Sequence, residues 1–143
     1  MPLSAYLKKV VEPGQEVNQL FRFLGVEVES ISAEEAALRL AVKKEHMQGA
    51  GVLAGGLIAT LLDEAMAHVA IAAMLSLGAK EPGRSTATVD LNVRYLKPVR
   101  AGDTIRARAW ILKPGKRLLN IEAEAANAKG ELVAKASAAF IIL

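Results

Sequence analysis

The 143-residue sequence predicts an α+β fold in one domain spanning residues 1–143, with about six strands curved around a single long helix. Two observations carry this. From Leu57 to Leu77, 16 of 21 residues are apolar, without Pro or Gly, and only Thr60, Asp63, Glu64, His68 and Ser76 interrupt. The stretch Gly51 to Gly78 therefore holds a helix roughly 35 Å long at about 1.5 Å per residue. After it, the hydrophobic period changes from 3.6 to 2 and stays there to the end of the chain. Because the helix is apolar on all sides, protein or lipid must wrap it. Two carboxylates and a histidine near its centre disfavour lipid, which leaves a curved sheet as the wrapping.

The chain opens with weak helical segments at Ser4–Val11 and Glu16–Leu24. In the second, Val17, Leu20, Phe21 and Leu24 keep helical spacing and Gly25 supplies a C-cap. Val26–Ile31 and Glu35–Lys43 read as strands and make a hairpin. The loop Lys44–Ala54 feeds the helix at Gly55–Gly56, and Gly78–Arg84, with Pro82 and Gly83, stops it. Val89, Leu91, Val93 and Tyr95 then alternate with Thr88, Asp90, Asn92 and Arg94. The same alternation recurs in Thr104–Leu112, Leu118–Ala126 and Glu131–Leu143. Their connections at 98–103, 113–116 and 127–130 are short and rich in turn residues, which predicts a four-stranded antiparallel meander. Arg106 and Arg108 are placed to pair with Glu122 and Glu124 of the following strand on a solvated face. The opposite face, with Ile105, Ala107, Ala109, Ile111, Ile121, Ala123 and Ala125, is small enough for a helix to approach closely.

Composition narrows the function. A net charge of +3 is too small for a dedicated DNA-binding protein but suits a phosphorylated small molecule. The absence of cysteine removes disulfides, thiolate catalysis and cysteine-ligated metal. His46 and His68 are 22 residues apart, without metal-ligand spacing, so neither a metal nor a cofactor is expected. The opening MPLSAYLKKVVEPG is mixed in character and broken by Pro13, so the expectation is a cytoplasmic protein without a membrane partner.

Among the polar residues of the helix, Asp63 resists a structural explanation. It lies two turns beyond the helix start, where the end dipole has faded, and position 67, four residues on, is Ala. A carboxylate on a wrapped helix costs several kcal/mol unless compensated, which marks it as a candidate for chemistry. Glu64 and His68 do have i,i+4 spacing and, with Thr60, trace what can simply be the least buried edge of the helix. Gly49, Gly51, Gly55 and Gly56 let backbone approach a ligand, and free N–H groups at a helix start suit a tetrahedral oxyanion. Gly55 and Asp63 are about 12 Å apart along one helix axis, whereas a reacting carbon needs both partners within roughly 3–3.5 Å. If both act on one carbonyl, Asp63 must come from a second copy of the chain, and the site lies at a dimer interface.

The order of hairpin, glycine loop, long helix and four strands is similar to the hotdog fold. The segment QGAGVLAGGLIATLLDEA resembles the helix-opening motif of acyl-CoA thioesterases of the phenylacetate-degradation type. That motif runs Asn, Gly, then His-Gly-Gly, with Asp nine residues after the His. The likeness continues through STATVDLNVRYLKPVRAGD and KPGKRLLNIEAEAANAKGELVAKASAAF, so it covers most of the chain. It implies an acyl-CoA substrate, with coenzyme A part of that substrate rather than a cofactor, and a homodimer or a dimer of dimers. By position it implies Asp63 as nucleophile or general base, the Gly55 N–H as oxyanion donor with Gly56 beside it, and Gln48 as the amide that helps place thioester or water. Thr88 falls where some relatives carry a hydroxyl near the attacking water. The departure is Ala54, where the family usually has a His that helps hold the substrate carbonyl. Nothing in the sequence places His46, eight residues upstream, as a substitute. Pantetheine would run between subunits, and Lys97, Arg100, Lys113, Lys116 and Arg117 near turns would meet nucleotide phosphates. Two other readings stay open. DEAMAHVA is similar to the helix of hotdog 3-hydroxyacyl dehydratases, with Glu64 as the working acid, and Ala54 favours a non-catalytic acyl-CoA-binding protein.

Overall fold

The computed structural model describes residues 1–80 and 83–143. In chain order it forms α1 (Leu3–Val10), α2 (Gln19–Leu24), β1 (Val26–Ile31), β2 (Glu35–Ala41), α3 (Gly55–Ser76), β3 (Thr86–Tyr95), β4 (Thr104–Lys113), β5 (Leu118–Ala126) and β6 (Leu132–Ile142). The six strands make one antiparallel sheet in the order β1-β2-β4-β5-β6-β3, and α3 packs across its inner face. This is the hotdog arrangement. Val10 and Phe21 anchor α1 and α2 in the same core.

The ends of the helices differ in part from expectation. Residues 16–18 do not join α2, because the Asn18 side chain accepts the Phe21 N–H at 3.0 Å and caps the helix there. The Gln15 side chain accepts the N–H groups of Val17 and Asn18, holding the preceding turn open. Pro82 lies outside the described residues; α3 ends at Ser76, with Gly78 following at φ 83°, a left-handed conformation that glycine takes without strain. Gly25 caps α2 in the same way, at φ 85°.

The strands after α3 are not a four-stranded meander. β4, β5 and β6 follow one another, but β4 pairs with β2 and β3 pairs with β6, so the chain crosses the end of the sheet between β3 and β4. The crossing is pinned by Val42 N–H to Asp103 O at 2.9 Å and Gly102 N–H to Val42 O at 3.0 Å. This order leaves β3 and β1 as the two edges. It also gives Arg106 a different partner: with β2 beside β4, its guanidinium meets Glu29 at 2.7 Å, while Arg108 bridges Glu35 and the expected Glu124.

β3 carries a bulge. Thr88 pairs with Phe140 and Asp90 with Ala139, so Val89 is an extra residue, and the Asp90 carboxylate accepts the Ala139 N–H at 3.0 Å. The bulge reverses the alternation. Thr88 before it and Leu91, Val93 and Tyr95 after it stand opposite Phe140, Ala138, Ala136 and Ala134, all buried, so all four share the helix-facing side. Strict alternation places Thr88 and Tyr95 on opposite faces; the inserted residue puts them on one.

The wrapping of α3 is incomplete. Leu61, Leu62, Ala65, Met66, Val69 and Ala70 are buried, on a sheet floor whose alanines (Ala107, Ala109, Ala123, Ala125, Ala136, Ala138) admit the helix closely. Gly56, Thr60, Asp63, Ala67 and Ile71 fall along a side that the chain itself leaves partly open. Among the described residues α3 is the one helix long and apolar enough to cross a membrane, and most of it is buried in this fold.

Candidate active site

Asp63 sits on the side of α3 that faces β3. The Thr88 hydroxyl donates to Asp63 Oδ1 at 2.9 Å, joining residues 25 positions apart. Among the described residues Oδ2 has no hydrogen-bond partner, so the carboxylate is oriented by one oxygen and open at the other. The bulge at Val89 belongs to this geometry, since it sets the phase in which Thr88 points at the helix.

At the start of α3, the Ala54 carbonyl accepts the N–H groups of Leu57 and Ile58 at 3.0 and 3.2 Å. Those of Gly55 and Gly56 are left as the open donors of the first turn. The Tyr95 hydroxyl donates to the Gly55 carbonyl at 2.7 Å, and a Cβ on Gly55 would stand 3.3 Å from Tyr95 Cζ. A larger residue at position 55 would have to push the Tyr95 ring aside by a few tenths of an ångström. The Gly56 carbonyl accepts the Thr60 hydroxyl at 3.0 Å.

The loop before the helix folds back on itself through a Met47–Leu53 bridge. Gln48 Oε1 accepts the Ala50 N–H at 2.6 Å, so the side chain shapes its own turn with its oxygen and keeps its NH₂ for other partners. Ala54 N–H donates to His46 O at 3.1 Å, which brings His46 beside the position where the resemblance expects a His. Its ring cannot stand in. Nδ1 accepts the Lys43 N–H at 3.0 Å and Nε2 donates to Leu24 O at 2.9 Å, with the residue buried.

Glu64 and His68 belong to a different arrangement. His68 is 2% exposed, and its Nδ1 donates to the Glu64 carbonyl at 2.6 Å, which fixes the neutral tautomer with a bare Nε2. That nitrogen accepts the Tyr6 hydroxyl at 2.8 Å, and Tyr6 in turn accepts from Asn18 Nδ2 at 2.8 Å. The chain of bonds ties α1 and α2 to α3, and the Tyr6 and Phe21 rings pack on the imidazole. Burial pushes the His68 pKa below its ordinary value, against the opposing pull of the Glu64 carbonyl. Burial first, and the charge of Asp63 second, push the Glu64 carboxyl up. Burial also raises Tyr6.

The expected phosphate-binding cations divide. Lys97 is ion-paired with Glu131 and so already engaged. Lys116 lines a cavity of about 350 Å³ with Met74 and Leu77 at the far end of α3 from Gly55, and Arg117 is exposed next to it. Arg100 and Lys113 are exposed. The structure thus brings Asp63 and Thr88 together, and adds Tyr95 to Gly55 and Gly56. It separates these pairs within one chain, and it does not gather the cations. Tyr95 carries no local sequence signal: in an alternating strand it reads as one more apolar position. Among the described residues, no three His, Asp or Glu side chains cluster as metal ligands do.

Comparison with known proteins gives the family and the fold. The family model described as "Thioesterase superfamily" matches residues 50–134, which span the end of the loop, α3 and the strands through the start of β6. Acyl-coenzyme A thioesterase 13 of Homo sapiens is 31% identical over 135 residues, covering 93% of this chain and 91% of the relative. Among solved structures, the E. coli PaaI protein from the phenylacetic acid degradation operon superposes with a TM-score of 0.77 at 21% identity, covering 88% of this chain and 85% of that one. The smu.793 protein of Streptococcus mutans UA159, solved bound to acetyl CoA, gives 0.73 at 21% identity, over 82% and 88%.

Proposed function

The chain belongs to the thioesterase superfamily, and from that premise we propose that it hydrolyses small or medium acyl- or aryl-CoA thioesters, with Asp63 as the acid that drives attack. The observation that carries the assignment is the Thr88–Asp63 hydrogen bond at the open side of α3. It holds one carboxylate oxygen and leaves the other to face a substrate. Asp63 either takes a proton from a water that attacks the thioester carbonyl or attacks that carbon itself, giving an anhydride that water opens. The carbonyl oxygen gains negative charge, which the Gly55 and Gly56 N–H groups at the positive end of a helix stabilise. Collapse expels the coenzyme A thiolate, which leaves as the thiol after protonation. With Ala54 at the mouth of the loop and His46 engaged elsewhere, the backbone donors and the Gln48 NH₂ carry the substrate carbonyl.

Both halves of the site meet only if two chains combine. Gly55 and Asp63 are eight residues, about 12 Å, apart on one rigid axis. β3 offers the joining surface: a ten-residue edge strand with Val89, Leu91 and Tyr95 exposed, Val89 at 57%, and exposed Leu96 just beyond its end. The other edge, β1, is shorter, is partly covered by α2, and carries Glu27 and Glu29. Apolar unpaired edges invite a partner and charged covered ones repel it. Antiparallel pairing of two β3 strands about a two-fold near Leu91 sets the Thr88–Asp63 end of one copy against the Tyr95–Gly55 end of the other, so the dimer carries two equivalent sites. The half-open side of α3 is covered in the same step.

The assay is release of free CoA over short aliphatic, aromatic and long-chain acyl-CoAs, with Asp63→Asn and Glu64→Gln as paired controls. Turnover abolished by the first and kept by the second is expected. Loss in Glu64→Gln alone, with hydration of enoyl chains, would transfer the chemistry to Glu64, and binding without turnover in the wild type would refute the assignment. Mixing inactive Asp63→Asn with an inactive Gly55 variant tests the shared site, because mixed dimers regain one intact site.

A further inference from the structure

We propose that Tyr95 is a positioning residue of the oxyanion site, acting through the peptide group between Gly55 and Gly56. The inference rests on the thioesterase reading and adds to it a residue outside the helix and its loop. The Gly55 carbonyl oxygen and the Gly56 N–H belong to one planar peptide unit. A hydrogen bond at 2.7 Å from the Tyr95 hydroxyl to that oxygen therefore does two things to the open donor on the other side of the unit. It fixes the rotation of the plane, and so the direction in which the N–H points. It also draws electron density toward the oxygen, making the N–H a stronger donor, as hydrogen bonds in a chain polarise one another.

The location supports a dedicated role. Gly55 and Gly56 are flexible by composition, and the helix start has no side-chain cap, because the capping position is Ala54. Without another restraint the first turn would fray. Tyr95 supplies that restraint from 40 residues away, with its ring against the face where Gly55 would carry a Cβ. The hydroxyl reaches its acceptor only because the bulge at Val89 turns the later half of β3 toward the helix. One strand thus serves both halves of the chemistry: Thr88 aims the acid, and six positions past the bulge Tyr95 aims the donor. In the proposed dimer those two roles fall on two different sites, so each β3 helps organise both.

The test is Tyr95→Phe, which keeps the ring packing and removes only the hydroxyl. Its kcat is expected to fall roughly three- to tenfold, the worth of one neutral hydrogen bond, while KM and the pH dependence set by Asp63 stay where they are. The Gly56 amide proton, followed by ¹H–¹⁵N NMR in the free protein, is expected to move upfield, reporting a weaker donor without reference to activity. Tyr95→Leu, which removes ring and hydroxyl, is expected to lose at least as much kcat as Tyr95→Phe. Wild-type kcat in Tyr95→Phe together with an unmoved Gly56 amide would overturn the proposal and leave the thioesterase reading intact. So would a kcat loss that appears only in Tyr95→Leu, since packing alone would then explain it. A wild-type protein that turns over no acyl-CoA would overturn both.

Discussion

Along α3, Asp63 turns toward the open edge of the sheet, where Thr88 donates to it, whereas Glu64, about 100° further round, turns toward α1 and α2, where His68 and Tyr6 lie. The first environment is a carboxylate held at one oxygen and free at the other, beside a strand with exposed apolar residues. The second is a closed relay running Asn18, Tyr6, His68 and the Glu64 carbonyl, in which every buried polar atom has a partner. Adjacent carboxylate residues thus lie in opposite settings, Glu64 joining the relay through its backbone carbonyl with its carboxylate 3.8 Å from His68 Nδ1. The side left incomplete by its own chain is the one to which the proposed chemistry is assigned, and the side completed by its own chain is the one that holds the N-terminal helices in place.

That contrast can be broken most forcefully at Asp63. Asp63→Asn is expected to lower kcat by about 10³–10⁴, the range for losing the group that drives attack, with little change in unfolding free energy. A kcat within tenfold of the wild type in the CoA-release assay would erase the distinction between the two acids. On the other side, His68→Ala should cost about 2–4 kcal/mol in urea unfolding, because it opens a cavity and leaves the Tyr6 hydroxyl without its acceptor, while kcat/KM per folded protein is retained. A His68→Ala protein as stable as the wild type would mean that the relay does not hold α1. Thr88→Ala is expected to cost about 1 kcal/mol of transition-state stabilisation, some fivefold in kcat, with Thr88→Ser restoring most of it. Full activity in Thr88→Ala would show that Asp63 needs no aiming.

The smallest effect concerns pH. His68 has a folded pKa below its ordinary 6.5, so between the two values the unfolded chain binds the proton and the folded one does not. Stability therefore falls as pH drops below about 6.5 toward the folded pKa. Glu64 has a folded pKa above its ordinary 4.5, so the folded chain holds the proton longer, and stability falls as pH rises from about 4.5 through the folded value. The two oppose each other in acid. Glu64→Gln removes one of them, so its unfolding free energy at neutral pH should equal or slightly exceed that of the wild type, and its decline on acidification should be steeper. A shallower decline would contradict the assigned direction for Glu64.

Much of the candidate site was legible because its parts are local. Asp63 stands out as a carboxylate on an apolar helix with no partner at position 67, and Gly55–Gly56 as a helix start built from residues without side chains. Thr88 came through resemblance, and the structure supplies its contact. Tyr95 was not legible, because nothing within the alternating run Val89, Leu91, Val93, Tyr95 marks one member as the donor to a carbonyl 40 residues earlier. The engagement of His46 with Leu24, 22 residues before it, was equally hidden.

By itself the sequence determined which segments are helix and which are strand, the depth of the central helix, and the one carboxylate on it that lacks a local purpose. These follow from periodicity and spacing, which neighbouring residues impose on each other directly. Tertiary structure alone decided that β3 pairs with β6 at one edge, that an extra residue at Val89 turns Thr88 and Tyr95 to the same side, and that Glu64 and His68 close against α1. Each of these depends on contacts between segments far apart in the chain. Such contacts are selected by competing registers and packings whose energies a local pattern does not encode.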